Sequence, residues 1–223
     1  MKKRFLGTVD VSSIGMGCMG FSHAEGPQTD IDEAAAIIKE AVNLGYTYFN
    51  TGWNYGNIND PHHNEKILGK ALSGIRDQVV ISSKCGVSFD YDVDPHKPPL
   101  IFDFSRENVR KCVEESLERL NTDYIDFYLQ ARIDPKVSPE EAASTMAELI
   151  QEGKILHWGV SEANEEYLRR ANAVCPISVI EHSYNIVNRK HENLFNFVEE
   201  NNIGWIAYTP LMKGLLTNTF EKG

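Results

Sequence analysis

The chain has 223 residues, a length that suits one domain, so we expect a single domain over residues 1–223. Its apolar fraction is 42% and its charged fraction 24%, values of an ordinary folded protein that argue against long disordered segments. The formal net charge of −10 repels a phosphate backbone, so we exclude nucleic acid as a partner. No apolar run approaches the length of a membrane span, so we expect a cytoplasmic protein without membrane association.

Short apolar runs alternate with longer segments whose apolar residues recur every three or four positions, which predicts parallel strands joined by crossover helices. The predicted strands are 14–18, 46–50, 79–84, 125–131, 155–161, 179–183 and 204–208. The predicted helices are 30–44, 64–72, 105–120, 138–152, 164–172 and 190–202. We therefore predict an α/β fold, a TIM-type (β/α)₈ barrel that is incomplete, with about seven strands, six crossover helices and the last βα unit missing.

Local signals refine this pattern. Runs 4–6 and 9–11 flank a Gly-Thr pair and predict a small hairpin that closes the bottom of the barrel. Ser105 and Ser138 are placed to cap helices, and Gly45, Gly153 and Gly204 follow helices where a positive φ is wanted. The connection 86–104 has no predicted regular structure and leaves the third strand at its carboxyl end, where it would cover a site.

Seven strands leave an eight-strand barrel open, with unpaired backbone groups on the first and seventh strands. We expect either a homo-oligomer that covers the gap or an extended neighbouring segment that fills it. The four cysteines are widely spaced and are expected to be reduced thiols. His62 and His63 follow a proline and are interpreted as solvated loop residues, so we predict no metal site.

The carboxyl ends of the strands are where a barrel of this type gathers its catalytic groups. Those ends read Gly17-Cys18, Asn50, Lys84, Ala131-Arg132, Ser161-Glu162, Glu181-His182 and Tyr208-Thr209. Between the second strand and its helix, Asn50 opens the segment Asn-Thr-Gly-Trp-Asn-Tyr-Gly, which holds Tyr55.

These strand ends belong to short sequence motifs, here called phrases. The phrases resemble those of the aldo-keto reductases and occur in the same order over nearly the whole chain. The phrases are GMGCMG at 15–20, FNTG at 49–52, YG at 55–56, NEKILG at 64–69, SK at 83–84, ESLERL at 115–120, DYID at 123–126, EGKI at 152–155, GVSE at 159–162 and AYTPL at 207–211. Each phrase alone is weak evidence, but their common register makes the fold assignment strong. The resemblance implies one barrel domain that reduces carbonyl compounds.

The resemblance implies a catalytic tetrad of Asp, Tyr, Lys and His, with the tyrosine as general acid. Tyr55 and Lys84 match two members, whereas the aspartate falls on Asn50 and the histidine on Ala131. Without its usual anion, Lys84 is expected to be partly neutral, hydrated, or paired with another carboxylate. Glu181, at the position of the glutamine that holds the nicotinamide carboxamide, is either that replacement anion or an ordinary strand-end carboxylate.

The implied cofactor is NADP(H). By resemblance, Gly17, Cys18 and Met19 run beside the nicotinamide, Ser161, Glu162 and Glu181 lie near its amide, Tyr208 stacks on the ring, and Thr209, Pro210, Leu211, Lys213 and Gly214 wrap the pyrophosphate. In the family, the loops that hold the adenosine 2′-phosphate follow this point, so we expect weak affinity for NADPH.

Three functions stay open at this point. The first is an NADPH-dependent oxidoreductase of aldehydes, ketones or quinones, with weak activity and a small carbonyl substrate. The second is a catalytically impaired relative that binds a nucleotide or a partner protein in a regulatory or structural role. The third is a lyase or isomerase that uses Lys84 as a Schiff-base nucleophile. The approach to the site is expected to be lined by Trp53, Asn54, Phe89, Tyr91 and the Pro98-Pro99 loop.

Overall fold

The structure, a computed structural model, describes residues 1–23 and 26–218. Its strands are β1 (Lys3–Leu6), β2 (Val9–Ser12), β3 (Met16–Gly17), β4 (Tyr48–Asn50), β5 (Val80–Cys85), β6 (Val87–Phe89), β7 (Leu100–Phe102), β8 (Ile125–Gln130), β9 (Ile155–Ser161), β10 (Val179–Ser183) and β11 (Gly204–Tyr208). Its α-helices are α1 (Ile31–Asn43), α2 (His63–Ala71), α3 (Arg106–Leu120), α4 (Pro139–Gln151), α5 (Glu165–Val174) and α6 (Phe195–Glu200).

Seven of the described strands form one parallel sheet in the order β3-β4-β5-β8-β9-β10-β11. This order follows the chain apart from β6 and β7, which pair with each other, so each sheet neighbour is reached by a crossover helix. The architecture is that of a (β/α)₈ barrel with seven strands in the described part of the chain, which confirms the predicted fold class. None of the helices in residues 1–23 and 26–218 combines the length and apolarity needed to cross a bilayer.

Side chains at the helix starts satisfy the backbone N–H groups that a helix leaves open. The hydroxyl of Ser105 accepts from the N–H of Asn108, and Ser138 forms a capping box with Glu141. Asp30 accepts from two N–H groups at the start of α1. Both serine caps that the sequence predicted are therefore found, and these helices begin within one or two residues of their predicted starts.

Two predictions about connections are wrong. The segment 86–104 contains regular structure, since β6 and β7 pair antiparallel from Val87↔Phe102 to Phe89↔Leu100. The predicted helix 190–202 is reduced to a 3₁₀ turn at Glu192–Leu194 followed by the short α6. Strands of three residues and a mixed turn give little periodicity, which is why the sequence pattern did not reveal them.

Strand residues alternate between the inside of the barrel and the layer of helices around it. On β8, Phe127 and Leu129 pack inside with Tyr48 of β4, whereas Tyr128 packs outward in the large core between sheet and helices. The same alternation sends Ile81 of β5 outward. It therefore turns the even-numbered residues of β4 and β5, among them Asn50 and Lys84, and the odd-numbered residues of β8 toward the axis of the barrel.

The hairpin β1–β2 closes the lower end of the barrel, as the sequence predicted. Leu6 and Val11 join the inner cluster of Tyr48, Phe127, Leu129 and Val179, so the apolar interior is plugged below the site. Gly204 fits against the hairpin backbone, where an added Cβ would lie 2.8 Å from Cα of Leu6 and 2.9 Å from N of Gly7. The prediction of a positive φ at Gly204 is wrong, because its role is close approach, while Gly45 and Gly153 do have φ values of 92° and 73°.

Replacing Gly204 with alanine should lower the free energy of unfolding by about 1–3 kcal/mol, because backbone atoms cannot yield to the new methyl group as a flexible side chain would. Urea unfolding followed by circular dichroism measures this loss. Gly20→Ala is the matched control, since an added Cβ there meets nothing within 4 Å. Equal stabilities for the two variants would contradict the tight docking of the hairpin on β11.

Candidate active site

Three polar residues from separate strands meet at the carboxyl end of the barrel. Asn50 ends β4, Lys84 is the fifth residue of β5 and Glu181 is the third residue of β10. Lys84 and Glu181 are buried, with 4% and 5% of their surfaces exposed. Because the sheet curves, residues of strands that are not neighbours come into direct contact inside it. The sequence placed these residues at strand ends, and the structure brings them together.

The ammonium of Lys84 lies within hydrogen-bond distance of four oxygens. Its Nζ is 2.7 Å from Oε1 and 3.0 Å from Oε2 of Glu181, 3.0 Å from Oδ1 of Asn50 and 3.1 Å from the hydroxyl of Tyr55. An ammonium has three N–H groups, so this set saturates its donors. Of the alternatives that the sequence left open for Lys84, pairing with Glu181 is the one that the structure shows.

Glu181 keeps the buried ammonium charged. Burial by itself lowers the pKa of Lys84, but the negative charge of Glu181 and the hydrogen bonds that Lys84 donates to Glu181 and Tyr55 outweigh burial, so the pKa lies above its ordinary value. An ammonium buried without an anion would cost several kcal/mol. Glu181 therefore has the charge-balancing position in this barrel.

Asn50 fits between the two charges. Its Oδ1 accepts from Lys84, and its Nδ2 donates to Oε2 of Glu181 at 2.8 Å. Each end of the amide thus faces the partner of opposite polarity. A carboxylate at position 50 would instead face the carboxylate of Glu181, and two like charges so close cannot both stay ionised at low cost. Asparagine at 50 and glutamate at 181 are therefore complementary.

Tyr55 is held beside Lys84 by the loop between β4 and α2. Its N–H donates to the carbonyl of Gly52 at 3.0 Å, and its carbonyl accepts from the hydroxyl of Ser22 at 2.8 Å and the N–H of Asn64 at 3.1 Å. Nζ of Lys84 also lies 5.2 Å from the centre of the Tyr55 ring, within range of a cation–π interaction. The phenol is thus fixed beside the ammonium of Lys84.

An aromatic wall extends from Tyr55 toward the hairpin of β6 and β7. The ring of His23 stacks on Tyr55 at 5.6 Å, Phe89 packs on His23 at 5.2 Å, and Tyr91 packs on Phe89 at 5.9 Å. The connection 86–104 therefore brings side chains beside the site, although its structure was mispredicted. Trp53 takes another direction, since its indole N–H donates to Glu115 of α3 at 2.9 Å.

The position that the resemblance gives to a histidine is Ala131, which is buried directly after β8. Its N–H donates to the carbonyl of Cys85 at 2.9 Å, so the backbone continues the strand without a side chain that can donate a hydrogen bond. The next residue, Arg132, reaches the hydroxyl of Ser161 at 3.3 Å. The sequence analysis noted Arg132 at the end of a strand but predicted no role for it.

Ser161, Glu162 and Tyr208 surround the other side of the mouth. The hydroxyl of Ser161 is 3.4 Å from Oε1 of Glu181, and the phenol of Tyr208 donates to Oε1 of Glu162 at 2.8 Å. Burial by itself raises the pKa of Glu162, but hydrogen bonds from the N–H of Ser183 and from Tyr208 lower it to about 2. Glu162 has a left-handed backbone, with φ of 57°, and is charged at neutral pH.

Of the residues expected beside the nicotinamide, Gly17 pairs with Asn50 in the sheet, and Met19 begins a 3₁₀ turn. Cys18 is fully buried, and burial raises the pKa of its thiol to about 12. Its N–H donates to the carbonyl of Asn50, and its carbonyl accepts from Asn64. Cys18 thus presents no side-chain surface in the mouth, so a contact there would come from its backbone.

The segment after β11 turns sharply. Thr209, Met212, Lys213 and Gly214 all have positive φ, between 47° and 93°. The hydroxyls of Thr209 and Ser183 are 2.9 Å apart, which ties the start of this segment to β10. Pro210 and Leu211 are exposed. This is the segment that the sequence assigned to a pyrophosphate, and it lies at the carboxyl end of its strand.

The histidines that the sequence placed in solvent are partly buried instead. Nδ1 of His62 contacts the carbonyl of Trp53, and His63 begins α2 with Nε2 at 3.0 Å from the carbonyl of Thr29. The interpretation as solvated loop residues is therefore wrong. A proline before them suggested a loop, but backbone carbonyls of neighbouring segments supply their hydrogen bonds.

Comparison with known proteins adds independent information. A model of the aldo/keto reductase family matches residues 13–223. The Glycine max protein named Probable aldo-keto reductase 1 is 34% identical over 207 residues, which cover 92% of this chain and 57% of that protein. The chain thus spans little more than half the length of this curated relative.

Solved structures agree with this match. The holo form of the aldo-keto reductase AKR11C1 from Bacillus halodurans is 32% identical, with a TM-score of 0.85 over 100% of this chain and 70% of its own. The glycerol dehydrogenase AKR11B4 from Gluconobacter oxydans is 27% identical, with a TM-score of 0.83 over 96% of this chain and 64% of its own. Both similarities extend over nearly all of the barrel described above.

Glu181→Gln should lower the free energy of unfolding by about 3–5 kcal/mol, because it leaves the ammonium of Lys84 buried without an anion. Chemical unfolding at neutral pH measures the loss. The double variant Asn50→Asp with Glu181→Gln is the matched control, since it returns a carboxylate to the same ammonium from the neighbouring strand β4 and should recover most of the stability. A loss below about 1 kcal/mol in the single variant would contradict the charge-balancing role of Glu181.

Proposed function

The chain belongs to the aldo/keto reductase family, and from that premise we propose that it reduces small aldehydes, ketones or quinones with NADPH. The observation that carries this proposal is the saturated Tyr55–Lys84–Glu181 arrangement at the mouth of the barrel. In this arrangement the phenol of Tyr55 is fixed beside a charged ammonium. Reduction of a carbonyl needs a proton source, and this phenol can supply it. The glycerol dehydrogenase among the similar structures supports chemistry between alcohols and carbonyls.

The residues at the mouth fit a nicotinamide cofactor. Ser161 offers a hydroxyl and Tyr208 a half-buried ring, which suit a carboxamide and a flat heterocycle. The turned segment with Lys213 and Gly214 offers close backbone approach and positive charge to a diphosphate. When bound, NADPH would supply the hydride for the carbonyl carbon. Glu181 already accepts from Lys84, Asn50 and Ser161, so we assign it to Lys84 rather than to the carboxamide.

Tyr55 is the proton donor in the proposed reaction. Its hydroxyl gives a proton to the carbonyl oxygen as that oxygen gains negative charge, and the phenolate that results lies 3.1 Å from the ammonium of Lys84. Lys84 stabilises this phenolate, and Glu181 and Asn50 hold Lys84 in place. Solvent returns the proton to Tyr55 after the alcohol leaves. The aromatic wall of His23, Phe89 and Tyr91 excludes water on one side and suits an apolar or aromatic substrate.

We propose a slow enzyme, because Ala131 contributes no hydrogen bond to the carbonyl oxygen. A positioned donor of this kind is worth roughly 10²–10³ in kcat where it has been removed from other enzymes. The impaired relative without turnover is not favoured, since the proton donor and its ammonium keep their geometry. A Schiff-base mechanism is disfavoured as well. The raised pKa of Lys84 and its saturated N–H groups leave little free amine to attack a carbonyl.

Three further expectations stay predictions. The preference for NADP(H) over NADH and its weak affinity rest on family resemblance. The cytoplasmic location rests on composition. A homo-oligomer would cover the strands β3 and β11, which end the order of the described sheet.

Tyr55→Phe should lower kcat for 4-nitrobenzaldehyde by roughly 10²–10⁴-fold, because the ring stays but the proton donor is lost. Oxidation of NADPH followed at its absorbance maximum measures the rate, and fluorescence quenching on mixing measures cofactor binding. Binding of NADPH should be unchanged. Tyr46→Phe, at a partly buried phenol before β4, is the matched control. Wild-type protein that neither binds nor oxidises NADPH would contradict the proposed function.

Ala131→His should raise kcat at least about 10-fold by returning a donor to the carbonyl pocket. The same assay measures it, with Ala131→Leu as a control of similar bulk that cannot donate. Adding Asn50→Asp to Ala131→His should not raise kcat further, because the carboxylate at position 50 would face the carboxylate of Glu181. An equal rate for the histidine and leucine variants would contradict the assignment of slow turnover to the missing donor.

A further inference from the structure

Three side chains that can ligate metals meet outside the proposed catalytic network. They form the His–His–Glu cluster, which consists of Glu162 directly after β9, His182 of β10 and His191 before α6. One ligand atom from each lies within 4.8 Å of the other two. Nδ1 of His182 is 3.9 Å from Oε1 of Glu162, and Nε2 of His191 is 3.4 Å from Oε2 of the same carboxylate.

The imidazoles of this cluster lack ordinary partners. His182 has no exposed surface, and neither of its ring nitrogens makes a hydrogen bond; Nε2 of His191 is also buried without one. A buried polar group without a partner costs about 1–3 kcal/mol, so three such nitrogens in one place call for an explanation. The two rings lie 4.2 Å apart, and their nitrogens approach the same carboxylate. A cation bound to Nδ1 of His182 and Nε2 of His191 would satisfy two of these three nitrogens.

We propose that the His–His–Glu cluster binds one divalent transition-metal ion, with Zn²⁺ as the best match. Two imidazole nitrogens and a carboxylate oxygen are ligands that zinc prefers, at bond lengths of roughly 2.0–2.2 Å. In tetrahedral geometry such bonds place the ligand atoms roughly 3.3–3.6 Å apart. The observed separations of 3.9 and 3.4 Å run to the two different oxygens of Glu162, and one ligand atom from each residue lies within 4.8 Å of the other two. Side-chain movement would therefore have to draw the three ligand atoms together around the ion.

The surroundings suit a metal in two further respects. Oε1 of Glu162 is fixed by the N–H of Ser183 and the hydroxyl of Tyr208, contacts that orient a ligand from the outer shell. A cavity of about 250 Å³ beside the cluster gives room for entry and for water as a fourth ligand, and it is lined by Glu162, Ala163, Asn164, His191, Asn193 and Leu194.

One cation competes for the carboxylate. Nζ of Lys190 lies 3.4 Å from Oε2 of Glu162, but the Lys190 side chain is 59% exposed and can turn into solvent. His182 is covered on its other side by Trp205, whose ring stacks on it at 5.2 Å. The cluster is therefore open to solvent on the side of Lys190 and His191 and closed on the side of the core.

Zinc binding tests the proposal without reference to turnover. Protein stripped with EDTA is titrated with Zn²⁺ against a chromophoric chelator, and bound metal is counted by atomic emission. We expect one ion per chain, with binding weakened more than about 10-fold by His191→Ala and by Glu162→Gln. His96→Ala, at an exposed loop histidine, should bind as wild type does. Co²⁺ in place of Zn²⁺ should give visible d–d absorption that both cluster variants lose.

The wild-type titration keeps the test decisive even where a variant unfolds. No binding by wild-type protein at micromolar Zn²⁺ overturns the proposal. Equal binding by wild type, His191→Ala and Glu162→Gln, each checked for folding by circular dichroism, overturns it as well, because the metal would then lie elsewhere. Since His182 and His191 take no part in the proposed proton transfer, failure of carbonyl reduction leaves this result unaffected.

Discussion

The ion pair between Lys84 and Glu181 joins two distant strands of the barrel and holds the ammonium beside Tyr55. The two residues stand on β5 and β10, which are separated in the sheet by β8 and β9. In a flat sheet, three strand spacings would put them roughly 14 Å apart, yet Nζ and Oε1 lie 2.7 Å apart. The contact exists because the sheet curls around the inner apolar cluster. Fold and chemistry are thus coupled at one buried pair.

The anion that pairs with Lys84 is Glu181 of β10, which explains how the site tolerates a neutral amide at position 50 of β4. Asn50 is neutral, but it bridges Lys84 and Glu181 with its oxygen toward the ammonium and its nitrogen toward the carboxylate. The pair Lys84 and Glu181 then has no net charge, so the interior carries no uncompensated ion. What differs from the family pattern is the strand that supplies the anion. Because Glu181 is engaged with Lys84 and Asn50, it is not available to hold the carboxamide of the proposed cofactor.

Periodicity and family phrases predicted the seven sheet strands and the residues at their ends, because each is a local signal. The partner of Lys84 could not be decided in the same way. Glu181 lies 97 positions from Lys84, and only the curvature of the sheet shows which strand-end carboxylate reaches the ammonium. Gly204 was misinterpreted for a related reason. A glycine after a helix suggests a turn, whereas its function is to admit the backbone of a hairpin near the start of the chain.

The His–His–Glu cluster was missed because its members come from three elements, at spacings that match no short metal motif. His182 lies on the outer face of β10, where a histidine is usually a core residue whose ring nitrogens are hydrogen-bonded. Only the structure shows that its nitrogens have no such partners. The hairpin of β6 and β7 was not predicted for another reason. Two strands of three residues separated by prolines give no periodic pattern. Local signals thus predict elements well and contacts between distant elements poorly.

The protonation state of Lys84 shows directly whether it is paired with Glu181. With ¹⁵N-labelled lysine, the side-chain resonance of Lys84 can be followed by NMR from neutral pH to about pH 10 and assigned by its loss in Lys84→Met. We predict that Lys84 stays an ammonium throughout this range, because Glu181 raises its pKa above the ordinary value. Deprotonation of Lys84 below about pH 9 would contradict the account, because a lysine so easily neutralised is not paired with a buried carboxylate.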